Sequence, residues 1–471
     1  MRLHLSILAL PVAAACQEPA PEEAPEAPST VRPHVVLVIA DDLGYADLGF
    51  TGALDIDTPR LDALAARGIV CTDAHVCASV CAPSRAGLMT GRYPQRFGFE
   101  CNLAGVGGLP EGTRTLAHGL SGVGYQTVLV GKWHLGAQEH QHPLNVGFDH
   151  FTGLIAGSRS YFPQVANPPG AERRIERDRV IVPEEDFEYL TDFLADEAVR
   201  FVHQRDPDRP LFLVLSATAP HGPMHGRADL LESYADRIAG DRRRTYASMV
   251  TALDEGVGRV VDALESEGML EDTLLAFLSD NGGATGNASD NGPWRGMKGS
   301  KWEGGHRVPL LLHWPAEFEP GSYSGLVSSL DLAATALAVA GAPVPADPPL
   351  DGMDLVPFLR GELEVPPHDM LFWRRDVAAA VREGDIKLVR IREPDGSYRP
   401  PVVVDIAGNP DESIDLAASR PDLVRRLRGL LEAWESELLD PLWIEGERWQ
   451  NNQRYKHQMD VIGRDAERRF P

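Results

Sequence analysis

Short, unbroken apolar runs alternate along this chain with stretches whose apolar positions recur every third or fourth residue. The runs are VVLVIA at 35–40, TVLV at 127–130, LFLVL at 211–215, LLAFL at 274–278 and VPLLLH at 308–313. A continuous apolar run of strand length fits a parallel strand buried on both faces. Between the runs, Leu61, Leu64 and Ala65 share a helix face behind Thr58 as N-cap and Pro59 in the first turn, with Gly68 as the stop. Tyr246, Met249, Val250, Leu253, Val257, Val260, Val261 and Leu264 keep helical spacing over a longer segment that Gly268 closes. Strands alternating with helices predict an α/β sheet covered on both faces.

Beyond about Pro366 the pattern changes. Residues 377–382 and 386–391 read as a hairpin around Glu383-Gly384-Asp385, the run at 402–406 as a further strand, and 421–438 as a helix with Leu423, Leu427, Leu430, Leu431 and Trp434 on one face. These elements predict a smaller antiparallel sheet with one packed helix, a C-terminal subdomain over 366–471 following a large domain over 33–365. No internal repeat is evident.

With 471 residues, 43% of them hydrophobic, the chain can bury a large core. Its formal charge of -24 excludes a nucleic-acid partner in bulk, because backbone phosphates need a basic face. An anionic substrate would need a local cluster of cations. At the N-terminus, Arg2, the apolar run 5–12 and Ala13, Ala14 and Ala15 before Cys16 read as an export signal over 1–16. Small residues directly before a cysteine also fit a bacterial lipoprotein signal with a lipid anchor at Cys16, although Ala13 stands where that pattern usually has Leu. The expected location is outside the bacterial cytoplasm, periplasmic or membrane-anchored. Residues 17–32, rich in Pro, Glu and Ala, read as a tether. Cys71, Cys77, Cys81 and Cys101 are too few for a disulfide scaffold, and at most one bridge is expected.

The densest chemistry lies in CAPSRAGLMTGRYPQR, residues 81–96. Pro83 suits a first helical turn, which puts Cys81 at a helix N-terminus whose unpaired N–H groups favour an anion. Taken alone, Cys81 also fits a half-buried free thiol. The string Cys81, Ala82, Pro83, Ser84, Arg85 resembles the signature of the formylglycine-dependent (type I) sulfatases of the alkaline phosphatase superfamily, and LMTGRYP continues the likeness. The resemblance extends in order from Pro33 to about Leu438. It implies an alkaline phosphatase-like fold: a large, mixed, mostly parallel central sheet sandwiched by helices.

In that family the signature cysteine is oxidised to formylglycine by a maturation enzyme, which makes that enzyme an expected partner. A hydrated aldehyde carries two hydroxyls on one carbon. One attacks sulfur and becomes sulfated; the other then loses its proton and expels sulfate as the carbonyl reforms, an exit that a serine lacks.

Asp41 and Asp42 follow the first run, and Asp280 and Asn281 follow the run 274–278, so four oxygen ligands can meet at the carboxyl edge of one sheet. Separately, the aspartates fit a solvated loop and Asn281-Gly282 a hairpin turn. Together with Cys81 they match the family metal site. Hard oxygens favour Ca²⁺ or Mg²⁺, and the resemblance points to Ca²⁺. Zinc on Cys71, His75, Cys77 and Cys81 is a rival reading, but the paired spacing of zinc knuckles is absent.

The resemblance further makes Lys132 a sulfate-binding cation, His134 a partner of the hydrate, His221 a neighbour of the bridging oxygen and Lys298 a support for the leaving oxygen, with Lys301 expected to face solvent. Arg85, Lys132 and Lys298 would form the cationic cluster that an acidic chain needs. How His134, His221 and Lys298 divide acid and base work stays open. His225 and His306 fit either the pocket lining or structural roles, and His306 and Val404 depart from the usual family residues. The expected function is a sulfuric ester hydrolase acting on a sulfated saccharide or small sulfate ester. A phosphoester or phosphonate hydrolase, and a non-catalytic glycan-binding protein, are the alternatives.

Overall fold

At the centre of the molecule the strand His34–Ala40 pairs in parallel with Leu211–Ser216 on one side and Thr273–Ser279 on the other. This computed structural model describes residues 32–102 and 107–458. The export signal, Cys16 and all of the tether except Arg32 lie outside the described residues.

Along the central strand Val36, Val38 and Ala40 enter one core, with the helices Leu190–Gln204 and Asp241–Ser266. Val35, Leu37 and Ile39 enter the other, with Cys81–Thr90, Leu116–Ser121 and Asp331–Val339. Both faces are therefore covered, which is why the run has no polar position. Leu211–Ser216 continues in parallel to Gln126–Lys132, and that strand to His150–Leu154. Leu310–His313 joins Thr273–Ser279 antiparallel, and short edge pieces complete a mixed sheet of ten strands. The run 308–313 enters this pairing only at Leu310; Pro309 has no N–H to give the ladder.

The first helix, Pro59–Ala65, is capped differently from expectation. The Thr58 hydroxyl donates to Asp62 Oδ1 at 3.1 Å and accepts the Gly49 N–H at 2.8 Å. The Arg60 and Leu61 amides donate instead to Asp254, from the long helix, at 3.1 and 2.7 Å. A carboxylate at a helix N-terminus meets both the free N–H groups and the positive end of the dipole.

Met370–Arg375, Ala378–Glu383, Ile386–Ile391 and Val402–Asp405 form a separate antiparallel sheet of four strands in sequence order. The helix Pro421–Glu435 lays Leu423, Leu427, Leu431 and Trp434 into its core, each contributing about 1.5–3 kcal/mol by burial. The Trp373 indole N–H donates to the Val76 carbonyl at 2.8 Å and ties this sheet to the segment leading into Cys81. A further helix, Glu447–Lys456, was not expected; its sequence ERWQNNQRYK carries no apolar stripe.

Candidate active site

Four neighbouring parallel strands end at one level. Ala40 lies opposite Ser279, Ile39 opposite Ser216, and Gly131 opposite Ser216. Asp41 and Asp42, Asp280 and Asn281, Lys132 and His134, and the loop to His221 therefore all leave the same carboxyl edge, where α/β folds gather ligands. At Gly131 the backbone has φ +114°, and a Cβ would stand 1.9 Å from the Ser216 carbonyl oxygen, so only glycine fits. Asp42 and His134 have φ of 64° and 60°. Holding non-glycine residues there costs on the order of 1–3 kcal/mol each, an expense found mainly where side-chain aim matters.

Cys81 opens the helix Cys81–Thr90, which Gly91 ends in the left-handed conformation. Every residue of the helix is buried, and a Cβ on Gly87 would reach within 2.2 Å of Cys77 Sγ. The Ala82 N–H at the helix start donates to Asn102 Oδ1 at 3.2 Å, and the Cys81 thiol lies 3.5 Å from the same oxygen. Asn102 is fixed in turn by the Trp443 indole N–H, 2.9 Å from its carbonyl.

Three carboxylates face three cations around this thiol. Lys132 Nζ is 2.6 Å from Asp41 Oδ2, Arg85 Nε 2.7 Å from Asp280 Oδ2, and Lys298 Nζ 2.5 Å from Asp42 Oδ1 and 3.7 Å from Cys81 Sγ. Arg85 also donates to Ser216 Oγ. His221 Nδ1 donates to the Gly222 carbonyl at 2.6 Å, and its Nε2 stands 3.7 Å from Asp42 Oδ2. Ligand atoms of Asp41, Cys81 and Asp280 lie within 4.8 Å of one another, as do those of Asp41, Asp42 and His221.

Burial raises the Cys81 thiol pKa, but Lys132 and Lys298 outweigh it and the net shift is downward. Burial likewise opposes ionisation of Asp42, and Lys298 and His221 turn its shift downward. Asp280 is raised by burial and by Asp41. Burial, then Lys132 and Arg85, push His134 well below its usual value, so it is neutral at pH 7.

Asp41 Oδ1, Asn281 Oδ1, His134 Nδ1 and one Arg85 nitrogen are buried with no hydrogen-bond partner. Buried oxygens left in this way among three carboxylates fit a hard divalent cation, and the donor set of Asp41, Asp42, Asp280 and Asn281 suits one. Asp41, Asp42, Cys81, Arg85, Lys132, His221, Asp280, Asn281 and Lys298 thus come together here, with His134 beside Lys132.

The zinc grouping does not form among the described residues: His75 joins Glu303 and His306, while Cys81 joins Asp41 and Asp280. The four described cysteines are free thiols. Lys301 corrects an expectation. It is 1% exposed, beneath the C-terminal helix, with Nζ 2.9 Å from Ser79 Oγ, and burial followed by Arg375 pulls its pKa down to about 7. Asn102 and Trp443 were missed; a lone polar residue about twenty positions beyond the signature carries no sequence pattern. His306 is fully buried against Trp373, at 3.9 Å between ring centres, and His225 is half-buried beside Phe162.

Comparison with known proteins decides the family: the family model named Sulfatase matches residues 33–342. The chain belongs to the sulfatase family. This sulfatase is 33% identical over 455 residues to arylsulfatase A of Homo sapiens, covering 84% of this chain and 87% of that one. It is 34% identical over 440 residues to steryl-sulfatase of Mus musculus, covering 75% and 69%. The crystal structure of Ps i-CgsB in complex with k-i-k-neocarrahexaose superposes with a TM-score of 0.83 at 34% identity, covering 90% of this sulfatase and 98% of that chain. The protein is accordingly an enzyme, a sulfuric ester hydrolase, and the glycan-binding alternative falls away.

Proposed function

We propose that this sulfatase removes sulfate from an extracellular sulfated carbohydrate, using a formylglycine hydrate made from Cys81. The observation that carries the proposal is the position of Cys81 Sγ, within 4.8 Å of ligand atoms of Asp41 and Asp280 and 3.7 Å from Lys298 Nζ. Sγ marks where the hydrate oxygens would stand. Asp41, Asp42, Asp280 and Asn281 would hold Ca²⁺, which when bound supplies Lewis-acid polarisation of a sulfate oxygen and lowers the pKa of a nearby hydroxyl. Arg85, Lys132 and Lys298 place positive charge where the transferring group gains negative charge. His134, neutral and next to the thiol's cations, is suited to take the hydrate proton, and His221, half-exposed at the mouth, to supply the leaving oxygen with one. The carbohydrate assignment is supported by the saccharide in the complex of the similar Ps i-CgsB. The export reading is supported by residues 1–16, and fatty-acid analogue labelling tests the anchor at Cys16.

The test is the mass of tryptic peptide 68–85 from protein made together with a formylglycine-forming enzyme. An aldehyde in place of the Cys81 thiol is expected. A thiol that persists despite active maturation refutes the nucleophile. Turnover of an aryl sulfate against the matched aryl phosphate then measures how far the site also accepts phosphorus. Chelation should abolish the sulfate activity and Ca²⁺ restore it.

A further inference from the structure

The last described helix lies over the reaction site and is held there by several contacts. His457 Nε2 accepts the Lys301 N–H at 2.8 Å, and its Nδ1 donates to the Gln453 carbonyl at 2.7 Å. The Gln453 amide donates to Glu445 at 3.1 Å, and Glu445 takes a two-oxygen contact from Arg375 at 2.6 Å. Arg454 Nε donates to the Arg392 carbonyl at 2.9 Å. This helix is therefore registered on the turn that carries Lys298. Its final residue, Lys456, donates from Nζ to the Lys298 carbonyl at 2.6 Å.

Among the described residues that carbonyl is the only hydrogen-bond partner of the Lys456 ammonium, and no carboxylate lies within 4.0 Å of it. An ammonium has three N–H groups to place. Charges of both signs lie near it: burial, then Arg375 and Lys298, pull its pKa down to about 7, against the smaller opposing effect of Asp42 and Glu445. Lys301 is the instructive contrast, since it also lacks a carboxylate but is 1% exposed and bonded to Ser79 Oγ, with no opening to a ligand. Lys456 is half-buried, with part of its surface open to solvent. A long cationic side chain held at this depth, with no carboxylate in contact and against the backbone of Lys298, is arranged for an anion from outside.

We propose that Lys456 is a specificity-determining residue that binds a second anionic group of the substrate, a sulfate or carboxylate carried next to the scissile ester. The inference rests on the sulfated-carbohydrate reading above. It makes the preferred substrate a multiply charged saccharide.

The test is calorimetric binding, with Ca²⁺ present, to Cys81→Ser protein, which cannot turn over. Three saccharides of equal length are compared: monosulfated, disulfated on neighbouring positions, and monosulfated with a neighbouring uronate. At least one doubly charged ligand is expected to bind about tenfold more tightly than the monosulfated one. That preference should fall to within about threefold in Lys456→Gln and in Lys456→Met, and be largely regained in Lys456→Arg. Which doubly charged ligand wins distinguishes sulfate from carboxylate. An absent preference, or one that survives both substitutions, overturns the proposal. Because binding to Cys81→Ser needs no nucleophile, failure here is separable from failure of the formylglycine reading, which peptide mass tests independently.

Discussion

Two buried clusters in this molecule each set three carboxylates against three cations, and they do opposite work. One is the proposed reaction site. The other joins the large sheet to the small one: Asp73, Glu303 and Glu412 meet Arg307, Arg382 and Lys387 around His75 and His306. Glu303 takes Lys387 at 2.8 Å, Arg382 at 3.1 Å and Arg307 at 3.3 Å. His75 and His306 share a contact at 3.0 Å between their Nδ1 atoms, and their Nε2 atoms reach Asp73 and the Lys301 carbonyl. His75, Glu303 and His306 are also close enough to hold a metal. Yet three cations already occupy the space around Glu303, and neither histidine has a nitrogen without a partner. Charge content alone does not separate the two clusters. Unpartnered atoms do: in the second cluster Glu412 Oε1 lacks a hydrogen bond but lies in ion-pair contact with Lys387, whereas Asp41 Oδ1, Asn281 Oδ1 and His134 Nδ1 wait for something the protein does not supply.

The sharpest way to separate the clusters is at Cys81. Cys81→Ser should lower kcat/KM for an aryl sulfate by on the order of 10⁴-fold or more, with the thermal midpoint almost unmoved; a loss of tenfold or less would remove Cys81 from the chemistry. In the other cluster, Glu303→Gln strands Lys387 and Arg382 and should cost about 3–5 kcal/mol in denaturant unfolding. Its kcat per folded molecule should stay near that of the parent. If activity fell while stability held, the division of labour drawn here would be wrong.

The third expectation concerns pH. Burial opposes the charge on Glu303 and Asp73, but Lys387 and Arg382 for the first, and His75 and Arg307 for the second, hold both below the ordinary carboxylate range. Unfolded, they titrate near about 4. The unfolded chain therefore binds more protons, so their contribution is complete above about pH 5 and is lost as pH falls. Glu412 runs the other way: burial raises it to about 7, so its share is lost as pH rises through neutrality. Thermal midpoints should climb as pH rises from about 3 to 4.5 and then level or fall toward pH 7 as the share of Glu412 is lost, and Glu303→Gln should flatten the low-pH climb. The smallest effect is expected at Asn102. Removing the Oδ1 that meets the Ala82 N–H and the Cys81 thiol, in Asn102→Ala, should lower kcat about three- to tenfold with KM little changed; a change in KM alone would assign it to substrate binding rather than to aiming the Cys81 side chain.

Much of the fold was readable because parallel strands buried on both faces leave unbroken apolar runs, and because His34–Ala40 and Thr273–Ser279 end directly in their acidic residues. Part of the proposed site was readable for a related reason: Asp41, Asp42, Asp280 and Asn281 follow those strands and Cys81 and Arg85 lie in the short signature, while Lys132, His134, His221 and Lys298 came from the family resemblance. What escaped has no periodic trace. The helix Glu447–Lys456 is polar all round, so neither its existence nor its place over the site follows from pattern. Lys301, next to Lys298 in a glycine-rich turn, reads as a solvent residue until that helix covers it. The cap on Pro59–Ala65 comes from Asp254, almost two hundred residues away, where no local rule reaches.

The burial of Cys81 also sets a clock. At 2% exposure, hemmed in by Lys298 and Asn102, the thiol is out of reach of any enzyme once the chain has folded. Oxidation to the proposed nucleophile therefore has to precede closure of the site. Lys298 emerges 217 residues after Cys81, and at about 5–20 residues per second synthesis leaves roughly 10–40 s before the side chain that closes over the thiol exists. The proposed maturation would then be a race between a modifying enzyme and the ribosome, and slower translation between the two positions should raise the converted fraction.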